Sequence, residues 1–333
     1  AKRELEFNFT LIFYDVTTLY FESFKADELR KPGFSKDGKS AQPQILIGLL
    51  VNCEGFPIAY EIYEGNKFEG HTLMPSISSF QQKYEIETLT VVADAAMISA
   101  DNIKALKDNR FSYIVGARIA NLPKPVINEI NKKLKSEDGA TIRIETQHGI
   151  LICDFSAKRY AKDKHEMEKQ IIKAGKLLKN PAMAKRTKFV KSKAKNSFEL
   201  NKALIEKTGK LLGIKGYYTN LNKVDDHTII ARYHDLWHIE QTFRITKSDL
   251  ETRPIYHFKE DPIRVHVMIC FMALAVCKYL EIKTGQSIKS IIKLFKSVAD
   301  ARILNTATGE EITMRSIIPE EVKDILKKLK LPY

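Results

Sequence analysis

Cysteine is scarce in this chain of 333 residues, which carries only Cys53, Cys153, Cys270 and Cys277. With no CxxC pair among them, neither a zinc knuckle nor a disulfide framework is indicated, and reduced thiols in a cytosol fit best. No GxxxxGK[ST] loop and no GxGxxG turn occurs, so nucleotide hydrolysis and a dinucleotide cofactor are not indicated. GxSxG and HExxH are missing too, which removes the usual marks of a hydrolase elbow and of a zinc protease helix. The opening residues AKRELEFNF lack the apolar stretch of a signal peptide. The longest apolar run, Val267 to Cys277, is too short to span a bilayer and is expected as a core helix. No internal repeat or low-complexity tract is present.

Acidic charge is in deficit. Against 54 Lys and Arg stand 41 Asp and Glu, giving a formal charge of +13 and a pI near 9.3. Such a balance makes a polyanion the first partner to consider, either nucleic acid or an anionic membrane surface. The excess is concentrated: between Lys158 and Lys195 there are fourteen Lys or Arg and three acids. One reading of that run is a solvated helix face, and the other is a surface that meets phosphates.

The apolar segments fall in a definite order. Leu11 to Val16 has the continuous apolar character of a strand buried on both faces. Gln44 to Asn52 and Phe56 to Glu64, separated by Cys53, Glu54 and Gly55, give a hairpin signal. A helix is expected from His71 to Tyr84 with Pro75 in its first turn. A second buried strand, Thr88 to Ala93, runs into Asp94. Ser99 can cap a helix to about Asn109, and Phe111 to Ala117 forms a third apolar strand. This order predicts a mixed five-stranded α/β sheet flanked by helices, the RNase H-like arrangement. Residues 1–118 are its first part. Residues 119–224 are expected as an insertion with its own strands and a basic helical segment, and residues 225–333 complete the domain.

Asp15 lies at the centre of TLIFYDVTTLYF, where an ionised carboxylate costs several kcal/mol unless a cation or a donor meets it. Asp15 and Asp94 are predicted to project from the ends of adjacent strands, close enough to share a cation. From Thr228 to about Leu250 the chain is expected as one helix. Tyr233, Glu240 and Lys247 recur there every seven residues, and at about 100° per residue they share a stripe with Leu236, Trp237, Phe243 and Arg244. Glu240 is thus expected on a packed face, either paired with Arg244 or Lys247 or as a third acid of one site. Asp15, Asp94 and Glu240 together are hard oxygen donors of the kind Mg²⁺ or Mn²⁺ accepts. Metals so held suit in-line attack on phosphorus, which accounts for the acids and the basic balance at once. His234 and His238, four apart, have zinc spacing but no HExxH context. Trp237, the only tryptophan, suits base stacking or core packing.

Several segments resemble a known family. YDVTTLYF, GLLVNCEGFPIAYEIYEGNKFEG, VVADAAM with YIVGAR, and YHDLWHIEQTFRITK followed by RPIYH are similar to the DDE transposases of bacterial insertion sequences. Within them the likeness is to the superfamily named after insertion sequence four, over about residues 7 to 282. The resemblance implies that Asp15, Asp94 and Glu240 are the catalytic acids and hold Mg²⁺ or Mn²⁺, and that the substrate is DNA at element ends and targets. In the family signature around the Glu, Tyr233, Glu240 and Lys247 match, but Leu236 stands where an Arg belongs, with Arg244 one turn beyond Glu240 as a replacement. Tyr233, Arg244, Lys247, Arg118, Lys185, Arg186 and Lys188 are the expected DNA contacts. The first catalytic strand begins about ten residues into the sequence, so an end-recognition domain is expected to be lacking. A homodimer on DNA, no membrane contact, and a cytoplasmic, nucleoid-associated protein of a bacterium or archaeon complete the expectation. A catalytically dead DNA-binding relic and a stand-alone nuclease are the alternatives.

Overall fold

The computed structural model describes residues 10–35, 38–97, 99–178, 187–194 and 197–332. It divides into two compact units, one of Ala1–Glu87 with Asp235–Tyr333 and the other of Thr88–His234.

In the first unit, the apolar run around Asp15 becomes β1 (Leu11–Tyr20). The strand extends past Val16 because Thr17, Thr18 and Leu19 are buried as well. After the short β2 (Lys31–Pro32) comes β3 (Pro43–Asn52), buried along its whole length as a central strand should be. It pairs antiparallel with β1 on one side and with β2 and β4 (Pro57–Glu64) on the other. The expected hairpin is there. Its turn is tied by the Asn52 carboxamide oxygen, which accepts from the Glu54 and Phe56 N–H groups. Gly55 supplies the left-handed residue, at φ +78°. Helix α1 (Leu73–Tyr84) has Pro75 in its first turn, where no intrahelical N–H is lost. Tyr14 donates to Thr72 Oγ1 at 2.7 Å, and Ser76 bonds both Tyr14 and Tyr63. This buried network fastens α1 to the strands beside Asp15.

The second unit starts with β5 (Thr90–Ala93), α2 (Ala100–Asp108) and β6 (Ser112–Ala117). Ser99 caps α2 by accepting from Asn102 N–H, as expected. Strands β5 and β6 are parallel. Helix α3 (Lys124–Lys133), the hairpin β7 (Thr141–Thr146) and β8 (Gly149–Phe155), and α4 (Ala157–Leu177) follow. Then come β9 (Val190–Ala194), β10 (Ser197–Leu200), α5 (Lys202–Gly209), β11 (Ile214–Thr219) and α6 (Asp226–His234). Strand β11 lies antiparallel to both β6 and β8, so this unit's sheet runs β5-β6-β11-β8-β7. Strands β9 and β10 form a separate two-stranded sheet, while β7, β8 and β11 of residues 119–224 carry the main sheet beyond the five strands expected. These three satisfy the backbone groups that β6 would otherwise leave at an edge.

The chain then returns to the first unit with α7 (Trp237–Arg244), α8 (Glu260–Thr284), α9 (Ile288–Lys296), the hairpin β12 (Ala301–Leu304) and β13 (Glu311–Met314), and α10 (Glu320–Lys328). One side of α8 packs on the strands. Ile263 and Val267 join Leu19, Phe21, Ile45 and Ile47 in a core cluster, and Phe271 meets the Tyr60 ring at 4.7 Å. Elsewhere on this helix α9 and α10 make contact, while Val265, Met268, Ile269, Met272 and Val276 are exposed. The core helix expected at Val267 to Cys277 is therefore a 25-residue helix whose most apolar window is 22% buried. By length and composition alone it is long enough to cross a membrane. Mixed strands flanked by helices make this the RNase H-like α/β architecture that the sequence predicts.

Candidate active site

Asp15 sits midway along β1, opposite Leu49 of β3, not at a strand end as expected. Its buried neighbours Tyr14 and Val16 leave it the least buried of the strand's interior residues. The Val16 N–H donates to Asp15 Oδ1 at 2.7 Å, which fixes the carboxylate's direction.

Glu240 lies in the first turn of α7, a helix that packs on β1 and β3 and so sits over the strand bearing Asp15. The Thr242 hydroxyl donates to the Gly55 carbonyl at 3.1 Å, pinning α7 to the β3–β4 turn. Ile239, Thr242 and Phe243 face inward, so Glu240 faces outward and is exposed. That corrects the expectation of a packed face.

The cause is a break in the predicted helix. Helix α6 ends at His234, Asp235 and Leu236 form a turn, and α7 begins at Trp237. After Arg244 the chain widens into a π turn, Ile245–Asp249, closed by Leu250 N–H on the Ile245 carbonyl at 3.0 Å. The seven-residue stripe from Tyr233 through Glu240 to Lys247 holds only for an unbroken helix. Arg244 is exposed, and Lys247, in the π turn, is half-buried. Turns of this type often mark functional positions.

In the second unit, Asp94 follows β5 directly and is half-buried. Its Oδ1 accepts from Ala96 N–H at 2.7 Å and its carbonyl from Met97 N–H, so a tight turn presents the carboxylate at the strand's C-terminal end. Beside it, β6 comes so close that a Cβ on Gly116 would collide with Tyr233 Oη and lie 3.1 Å from Ala95 N. Tyr233 is thus buried against the Asp94 turn. Its ring is 4.8 Å from Tyr217, with the Lys215 ammonium 4.4 Å above it. Sequence reasoning gave Lys215, Gly116 and Tyr217 no role beyond strand positions. The signal was a glycine inside an apolar strand, near its C-terminal end, a place where another group approaches. Gly116→Ala is expected to cost about 1–3 kcal/mol through overpacking, seen in the urea midpoint. Adding Tyr233→Phe should return part of it by clearing the hydroxyl.

Arg118 is exposed one residue beyond β6, and Lys188 is exposed with its ammonium 4.9 Å from the Phe189 ring. Lys185 and Arg186 lie outside the described residues. Among the described residues, the basic run forms α4, whose only buried residue is Ala174. His234 meets the Tyr217 hydroxyl at 3.3 Å, while His238 stacks on Trp237, ring centroids 3.9 Å apart, and packs against Gly55. Among the described residues no group of three or more His, Cys, Asp or Glu stands ready to hold a metal. Trp237 is half-exposed, so core packing is not its role. All four cysteines are free thiols.

Burial holds His238 below its usual pKa range, with Asp235 opposing and Lys278 adding to the effect. A histidine that binds protons less readily folded than unfolded contributes stability above its unfolded pKa of about 6.5 and loses it as pH falls. Acidification below about pH 6.5 is therefore expected to lower the melting temperature, and His238→Gln to flatten that slope. Equal slopes would contradict this.

The structure thus has an acid in the first strand, an acid directly after a parallel strand and a glutamate on a later helix, in a strongly basic α/β protein. The chain belongs to the transposase DDE domain family, which it matches over residues 7–276. No curated protein matches it. A piggyBac transposase, seen by cryo-electron microscopy in a synaptic complex with hairpin DNA, is similar in structure with a TM-score of 0.49 and 9% identity. The match covers 85% of this chain and 51% of that one, so the chain spans about half of that transposase's length.

Proposed function

We propose that the protein is the catalytic part of a DNA transposase, cutting DNA at the ends of its element and joining the freed 3′-hydroxyl to a target. The observation that carries this reading is the family match over residues 7–276, within which all three acids fall. Asp15, Asp94 and Glu240 are its catalytic residues and would hold Mg²⁺ or Mn²⁺. Their donor set fits, since all three offer hard carboxylate oxygens and the first two are already oriented by a backbone N–H. When bound, such metals activate a water or 3′-hydroxyl and stabilise the leaving oxygen.

The chain's own residues supply orientation and charge. The turn after β5 and the packing of α7 on β1 and β3 set where the carboxylates point. Arg118, Arg244 and Lys247, with Lys185, Arg186 and Lys188, would meet the phosphate backbone. Tyr233 supports the Asp94 turn from beneath, and its burial favours a positioning role over direct DNA contact. Two protomers on DNA remain part of the proposal.

The test uses labelled duplexes carrying the DNA that flanks the protein's own coding sequence. Cleavage and 3′-end joining in Mg²⁺, both stopped by EDTA, are expected. Cleavage without joining would indicate a nuclease, and binding without either would indicate a relic.

A further inference from the structure

Helix α8 is 25 residues long, about 37 Å at 1.5 Å per residue, and it is finished on one side only. Ile263, Val267, Leu274 and Cys277 face the protein. Val265, Met268, Ile269, Met272 and Val276 are each 43–58% exposed. Their spacing keeps them on one stripe, a contiguous apolar strip of the kind that marks an interaction surface.

We propose that this strip is the seat of a second copy of the chain, with the two α8 helices packed antiparallel about a two-fold axis at Met272. The pattern of the helix is what selects that occupant. Counting outward from Met272, Met268 faces Val276 of the second copy, Val265 faces its Tyr279, and Asp261 faces its Lys283. Every apolar position meets an apolar or aromatic one. The acid at the helix start meets the base at the helix end, and both are exposed. A two-fold contact requires such self-complementarity, and here it extends from one end of the helix to the other. The antiparallel arrangement also sets Asp261, in the first turn, and Lys283, in the last, where the helix dipoles favour them. The flexible side chain of Met272 adapts readily to its own copy across the axis, and that of Met268 to Val276. This goes beyond the proposed activity and holds whether or not the chain cleaves DNA.

The experiment is sedimentation velocity of the full chain without DNA, over a range of concentrations. A dimer is expected. Met272→Glu sets two carboxylates against each other on the axis, and is expected to raise the dissociation constant by about thirtyfold or more. Its far-UV circular dichroism should match wild type, because the side chain is exposed in the single chain, and any fall in melting temperature should track the lost dimer. Asp261→Lys should weaken the dimer, and Asp261→Lys with Lys283→Asp should restore it. A wild-type chain that stays monomeric, a dimer indifferent to Met272→Glu, or a charge swap that restores nothing would each overturn the proposal. Since no DNA is present, a failure of the catalytic reading leaves every one of these outcomes readable.

Discussion

Asp15→Asn, Asp94→Asn and Glu240→Gln should each lower metal-dependent DNA cleavage by about a thousandfold or more, about 4 kcal/mol of barrier. Affinity for duplex DNA, and its dependence on salt, should change little. The asymmetry follows from where the residues sit. The Asp15 and Asp94 carboxylates each accept one backbone N–H, from Val16 and Ala96, and an asparagine oxygen can still accept that bond. The local turns therefore survive while the charge that would hold a cation is gone. Glu240 is exposed on α7, so its amide costs the fold little. The measurement is a gel assay of the three variants beside wild type, with circular dichroism as the folding control. Full cleavage by any one of them would remove that residue from the catalytic set. Loss of DNA binding alongside cleavage would point to a structural fault.

The largest effect on stability is expected at Glu281. Lys278 is 3% exposed and pairs with Glu281 at 3.1 Å, while the other Glu281 oxygen accepts the Ile288 N–H at the start of α9. Glu281→Ala would leave an ammonium buried without its partner and a helix start without its acceptor. Breaking a buried pair from one side costs about 3–5 kcal/mol. Lys278→Met together with Glu281→Gln should recover much of that loss, since the pair is then removed from both sides and an acceptor for Ile288 is kept. Denaturant titration of the single and double variants reads the difference directly. A small loss in the single variant would mean that water reaches Lys278.

Several elements are legible in the sequence because their causes are local. Ser99 caps α2, Pro75 sits in the first turn of α1, and Asn52 through Gly55 close the β3–β4 turn. Each depends on residues a few positions apart. The burial of β1 was equally plain, since a strand covered on both faces reads as a nearly continuous apolar run. What could not be read depends on contacts between distant segments. The break at Asp235 and Leu236 interrupts a sequence with ordinary helical propensity, where Thr242 is tied to Gly55. Helix α8 has the composition of a core helix, and only the fold shows which of its apolar residues lack a neighbour. The three acids could be picked out from their surroundings in the chain. Tyr233's place beneath the Asp94 turn could not, because it depends on Gly116 lying between them.

The π turn after Arg244 also constrains how this protein can vary. A wider turn carries about one residue more than an α turn over the same advance. Side chains downstream are therefore rotated by about 100° from where a regular helix would put them. Deleting a single residue between Ile245 and Asp249 would restore regularity and swing Lys247 away from its present direction. Substitutions in this stretch can be absorbed one by one, whereas a change in its length re-aims everything that follows.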